Sequence, residues 1–180
     1  MQLENRSITN VFVLIGTDVF RKIYASVGSN ITSYVSYPRM IGETSGKNFH
    51  LIHKSADIRN AALKTIRASF EYQGQKCSAC SRAYVPKSCA TTFLDILKAE
   101  TEALTMGDKF TDFCGPVISK SAYARVSEFV SRARKDDAVE IIAGGECDDS
   151  VGYYVVSCTA RITKLGRQLT VFRSGRQSSK

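Results

Sequence analysis

The sequence predicts an α/β domain in which helices layer against a mainly parallel sheet. Three observations carry that expectation. Apolar residues recur with helical spacing in three separate stretches, short apolar runs of strand length alternate with them, and Gly or Pro punctuates the joins. The 180 residues, 43% of them hydrophobic, suffice for one domain with a real core.

The elements follow in order. Asn10–Ile15 is a short apolar run read as a strand, and Gly16-Thr17-Asp18 opens a helix that Gly28 stops after Val27. Asn48–His53 reads as extended. Ser55 is placed to cap the next helix, with Asp57 in its first turn. Ile58, Ala62, Ile66 and Phe70 then share one helical face, and Gly74 closes or follows that helix. Arg82–Val85 is a strand closed by Pro86. Phe93, Ile96, Leu97 and Leu104 form the second stripe, ending near Gly107, and Tyr123, Val126, Phe129, Val130 and Ala133 form the third. Val139–Ala143 reads as a buried strand stopped by Gly144-Gly145, and Gly152–Ile162 as a final strand.

Charge and composition narrow the function. The formal net charge is +8, but residues 161–180 hold six basic and no acidic side chains, and the rest is nearly balanced at 19 basic and 17 acidic. The excess is therefore a terminal basic segment, read as a solvated, disordered end and not as a nucleic-acid surface, since only Phe172 interleaves with its charges. No run of 18 apolar residues occurs, so no membrane span is expected. The first residues, with one Arg and one Glu, resemble neither a signal nor a transit peptide. The six cysteines are irregularly spaced and read as reduced thiols.

Three segments could carry chemistry. In Phe70–Cys80 a helix runs into Gly74, and Cys77 stands just beyond, beside Lys76. A cation near a thiol favours its reactive anion, yet a buried, inert cysteine is an equal reading of the same residues. In Ile41–Phe49, Glu43 lies among small residues. It reads as a partly buried general base or as an ordinary solvated turn carboxylate. The third reading is structural zinc held by His50, His53, Cys77 and Cys80, the right number and kind of ligands. It is disfavoured because positions i and i+3 of an extended segment face opposite ways.

Taken together, two of these segments resemble known signatures. Gly42-Glu43-Thr44-Ser45-Gly46-Lys47-Asn48-Phe49 resembles the glutamate signature of aldehyde dehydrogenases. Phe70–Ser81, with its Gly74-Gln75-Lys76-Cys77 core, resembles their cysteine signature, in the family's order and 34 residues on. Tyr37-Pro38-Arg39, Lys47–His50, Lys54–Asp57, Cys80-Ser81-Arg82 and Gly144–Tyr153 are similar to the branch that oxidises glutamate γ-semialdehyde, the open form of pyrroline-5-carboxylate. The resemblance runs from about Thr17 to Val155.

It implies a fragment of the aldehyde dehydrogenase fold. Residues 1–37 would be a remnant of the NAD-binding domain, 38–157 a catalytic α/β domain, and 158–180 a divergent basic tail. It further implies Cys77 as nucleophile, Glu43 as the base that activates water, Ser78 facing the substrate carboxylate, and Gly16 and Thr17 near the NAD cofactor. Hydride would pass to NAD, leaving a thioester that water resolves to glutamate in proline catabolism. A mitochondrial matrix location and homo-oligomerisation through a β-hairpin beyond these residues also follow from the resemblance.

The sequence departs from the family in several places. Ile15 stands where the family's Gly-Ser-Thr turn has glycine, and Ser45 where glycine is commoner. The oxyanion-binding Asn of an upstream segment and the Glu-Ile/Val-Phe-Gly-Pro motif at the nicotinamide ribose are not found. The expectation is a truncated or mis-spliced product with uncovered apolar surface and weak or absent NAD-dependent turnover.

Overall fold

The computed structural model describes residues 10–155, 159–162 and 169–171. They fall into two compact units, one running through Gly46 and the other beginning at Lys47. Each is described by itself.

The first unit is a βαβ element. Strand β1 (Asn10–Leu14) leads into helix α1 (Thr17–Ser29), and β2 (Arg39–Glu43) returns parallel to β1, pairing Asn10 with Arg39 through Leu14 with Glu43. A parallel pair needs such a crossover. Gly28 lies inside α1, whose cap is Asn30, so the expected stop falls two residues late. A lone glycine weakens a helix without ending it while the backbone bonds continue. Gly42 faces the Phe20 ring of α1 so closely that a Cβ there would run into it. Phe12, Leu14 and Ile41 stand exposed on the strands.

The second unit begins with another βαβ element. Strand β3 (Asn48–Leu51) and β4 (Cys80–Tyr84) are parallel, joined through helix α2 (Ile58–Phe70) and a 3-10 turn at Glu71–Gly74. Asp57, not Ser55, caps α2, its carboxylate accepting from Asn60 N at 3.0 Å, while Ser55 bonds to His53 Nδ1 at 2.8 Å. The predicted stripe is buried, with Ala62, Ile66 and Phe70 packing against Phe93 and Leu97 of α3 (Ala90–Glu102), Ala83 of β4, and Cys114. Arg59 and Glu100, 2.8 Å apart, join the exposed sides of α2 and α3. Helix α4 (Lys120–Lys135), capped by Ser119, buries Ala122 and Val126 against Val117 and Val155. Among the described residues no helix is long and apolar enough to cross a membrane.

Strand pairing in this unit corrects the mainly parallel expectation. Strand β5 (Val139–Ala143) ends at Gly144 and Gly145, both at positive φ, and pairs antiparallel with β8 (Thr159–Ile162). Strand β9 (Leu169–Val171) runs antiparallel to both β8 and β4, giving a five-stranded sheet in the order β3-β4-β9-β8-β5. A small antiparallel pair joins β6 (Cys147–Asp148) and β7 (Tyr154–Val155). The physical reason is connection length. Only six residues separate β8 from β9, too few for the crossover that parallel strands require. The single strand expected over Gly152–Ile162 is thus two, β7 and β8. Part of the basic end expected to be solvated is strand, and residues 163–168 and 172–180 lie outside the described residues.

Candidate active site

The site residues are built on two junctions, one in each unit. In the first, β1 passes into α1 beside the end of β2. Ile15 N donates to the Glu43 carbonyl at 3.1 Å, and the Thr17 and Ser45 hydroxyls lie 2.5 Å apart. The structure thereby places Gly16 and Thr17 alongside Glu43. The Glu43 side chain is exposed at the end of β2, which matches the solvated reading of that residue and not the partly buried one. Gly16 caps α1 with its carbonyl, and the N–H groups of Gly16, Thr17 and Asp18 have no acceptor among the described residues. Open amides at a helix start suit a phosphate group, though Asp18 adds a negative charge there that pairs only loosely with Arg21, at 3.9 Å.

In the second unit the junction is the turn between α2 and β4. Cys77 and Ser78 are adjacent and exposed at its apex, so Cys77 is not the buried apolar side chain that was one of the two readings of its local sequence. The turn is closed by Ala79 N donating to the Lys76 carbonyl at 3.3 Å. Lys76 does not offer its charge freely to the thiol. Its ammonium binds Glu71 at 2.6 Å and lies 5.3 Å from the centre of the Tyr72 ring. The hydrogen bond from Lys76 lowers the Glu71 pKa.

Three residues that frame this turn escaped the sequence reading. Asn48, at the start of β3, donates through Nδ2 to the Cys77 carbonyl at 2.6 Å and to the Ala79 carbonyl at 3.3 Å. Gln73 is buried, with its side-chain carbonyl accepting from Gly115 N at 2.6 Å and its amide donating to the Tyr72 carbonyl at 3.1 Å. Gln75 accepts from Ile118 N at 3.3 Å. Asn48 sits within the glutamate signature, but its partners lie 29 and 31 residues away, so no local pattern could reveal them.

The zinc alternative is overturned. His50 Nδ1 bonds to Thr65 at 2.8 Å, His53 Nδ1 to Ser55, and Cys80 Sγ donates to the Arg82 carbonyl at 3.2 Å. Thr65 gives its own proton to the Ala61 carbonyl, so His50 is the donor in that pair. No three His, Cys, Asp or Glu side chains gather to hold a metal among the described residues. Burial raises the Cys80 pKa, which suits a structural thiol.

Comparison with known proteins places this arrangement. The chain is 48% identical over 151 residues to the mitochondrial delta-1-pyrroline-5-carboxylate dehydrogenase of Emericella nidulans, covering 82% of this chain and 26% of that protein. It is 42% identical over 142 residues to the human protein of the same name, covering 77% of this chain and 25% of that one. The chain thus spans about a quarter of the length of the curated relatives it matches. Among solved structures, the delta-pyrroline-5-carboxylate dehydrogenase of Mycobacterium tuberculosis bound with NAD superposes with a TM-score of 0.85 at 34% identity, over 96% of this chain and 32% of that one. The profile of the aldehyde dehydrogenase family matches residues 3–163, beyond both ends of the resemblance read from the motifs. The chain belongs to the aldehyde dehydrogenase family.

Proposed function

We propose that this chain carries the nucleophile and the base for oxidation of L-glutamate γ-semialdehyde, the open form of pyrroline-5-carboxylate, to L-glutamate in proline catabolism; the relatives' name, delta-1-pyrroline-5-carboxylate dehydrogenase, supports this substrate. One observation supports the reading above the others: Cys77 stands exposed on a braced turn, with the Cys77 and Ser78 N–H groups unpaired among the described residues. Such amides are donors for an oxyanion.

In this mechanism Cys77 Sγ, its proton lost to solvent, forms a bond to the aldehyde carbon. The resulting oxyanion is held by the free N–H groups of the turn. NAD, when bound, supplies the hydride acceptor, and the open amides at Gly16 and Thr17 would hold a phosphate of it. The acyl group remains on Cys77 as a thioester. Glu43 takes a proton from water, whose oxygen bonds to the acyl carbon while the C–S bond breaks and the thiolate leaves. Ser78 hydrogen-bonds the carboxylate at the far end of the substrate. Residues 1–37 would serve the cofactor and residues 38–157 the chemistry, leaving 158–180 as the divergent end. The relatives' mitochondrial names support a matrix location, and homo-oligomers are proposed from the family.

The test is thiol mapping by mass spectrometry with limiting iodoacetamide. Cys77 is expected to react ahead of the other five cysteines, and glutamate γ-semialdehyde to protect it selectively. Equal labelling of all six, with no protection, defeats the proposal. In Glu43→Gln, the acetyl group placed on Cys77 by an activated ester should persist about 10²-fold longer than in wild type.

A further inference from the structure

We propose that Asn48 is a positioning residue for the nucleophile, setting the peptide planes around Cys77 so that its amide donors face the reacting carbon's oxygen. The inference rests on the proposed role of Cys77.

Two independent observations support it. First, the single Asn48 amide nitrogen bridges the carbonyls of Cys77 and Ala79, one on each side of Ser78. A peptide plane carries its carbonyl and the following N–H on opposite sides. Holding the Cys77 carbonyl toward Asn48 therefore turns the Ser78 N–H away from it, and holding Ala79 limits rotation of the next plane. Neither the Cys77 nor the Ser78 N–H then meets an acceptor among the described residues. Second, the β3–β4 register breaks at this point. Asn48 lies opposite Cys80 and Phe49 opposite Arg82, so Ser81 is an extra residue in β4. Such bulges re-aim a side chain at the end of a ladder. Here the irregularity sits at the residue that reaches the turn.

The bond is also the right kind for positioning. The Asn48 amide bonds to backbone carbonyls and, being uncharged, offers the turn donors without placing a charge beside the thiol. Its loss should leave thiol alkylation unaffected. It should slow reactions that pass through an oxyanion, because the donors that stabilise it are no longer held in line.

The experiment compares two reactions at Cys77 in the full chain. With p-nitrophenyl acetate, Cys77 sulfur bonds to the acetyl carbon, p-nitrophenolate leaves with its electron pair, and the thiol proton goes to solvent. This path has an oxyanion. With iodoacetamide the sulfur displaces iodide directly, and no oxyanion forms. Both rates are read from the Cys77 peptide by mass spectrometry. Asn48→Ala and the uncharged, similarly sized Asn48→Leu, each checked for wild-type circular dichroism, are expected to slow acylation about 10- to 100-fold and to change alkylation less than about threefold. A parallel fall in both rates, or an unchanged acylation rate in the folded Leu variant, overturns the positioning role. A wild-type chain acylated at other cysteines but not at Cys77 defeats the proposed function itself, and this inference with it.

Discussion

At the residue scale, three cysteines show how environment divides one chemical group into different roles. Cys77 is exposed on a turn, Cys80 is buried and bonded to the Arg82 carbonyl, and Cys114 is buried in the apolar core beside Phe70 and Phe93. Sequence distinguished Cys77 only through the signature around it, because the neighbouring Lys76 serves Glu71. Desolvation pushes the Cys114 thiol from 9.0 to about 11. Between those values the folded chain keeps a proton that the unfolded chain releases, so stability falls as pH rises through the window. The contribution is complete below about pH 9 and amounts to on the order of 2–3 kcal/mol, at 1.36 kcal/mol per pKa unit. Urea midpoints measured from pH 8 to 11 should therefore decline less steeply in Cys114→Ala than in wild type, although that variant starts lower through lost packing. Identical slopes would show that Cys114 ionises no differently when folded.

At the element scale, the segment before Cys77 departs from ordinary helix endings. Tyr72 (φ 54°), Gln73 (φ 55°) and Gly74 (φ 66°) are all left-handed. Each non-glycine residue there costs roughly 1–2 kcal/mol. The helix stripes were legible because apolar spacing of three and four leaves a repeating mark, as at Ala62, Ile66 and Phe70. Gly74 was legible only as a stop. The left-handed run was not, because what holds it is distant: the Gln73 side chain on Gly115 N, and that of Gln75 on Ile118 N. Gln73→Leu keeps the bulk but removes the acceptor from Gly115 and the donor to Tyr72. It is expected to cost about 2 kcal/mol, from unpaired backbone groups and released strain. Denaturant titration reads this as a lower midpoint, and a midpoint equal to wild type would mean that the turn keeps its shape without the side chain.

At the scale of the whole chain, the most consequential difference between expectation and structure lies at its end. Local reasoning weighed residues 161–180 by charge, and a run of basic side chains without acids reads as solvated. Sheet membership is decided by partners, and β5 had no visible partner in the sequence until β8 was placed beside it. The register is specific: Ala160 lies opposite Ile141 of β5 and Thr170 of β9, and it is completely buried, as is Thr159. Adjacent strand residues point to opposite faces, so β8 is covered on both sides at this point. Ala160 lies inside the strand that the sequence also expected over Gly152–Ile162, and Ala160→Asp tests whether that strand is an exposed edge or is held between partners. On an exposed edge strand the added carboxylate meets water and changes stability by no more than about 0.5 kcal/mol. In the middle of a five-stranded sheet, where Ala160 is completely buried, it must be desolvated, which costs about 3 kcal/mol or more. Thermal and urea unfolding of the variant separate these outcomes, and Ala160→Val separates charge from volume because β-branched residues suit a strand. A large loss in the Asp variant alone places β8 inside the sheet; an Asp variant as stable as wild type would leave β8 exposed and β5 without the partner assigned to it.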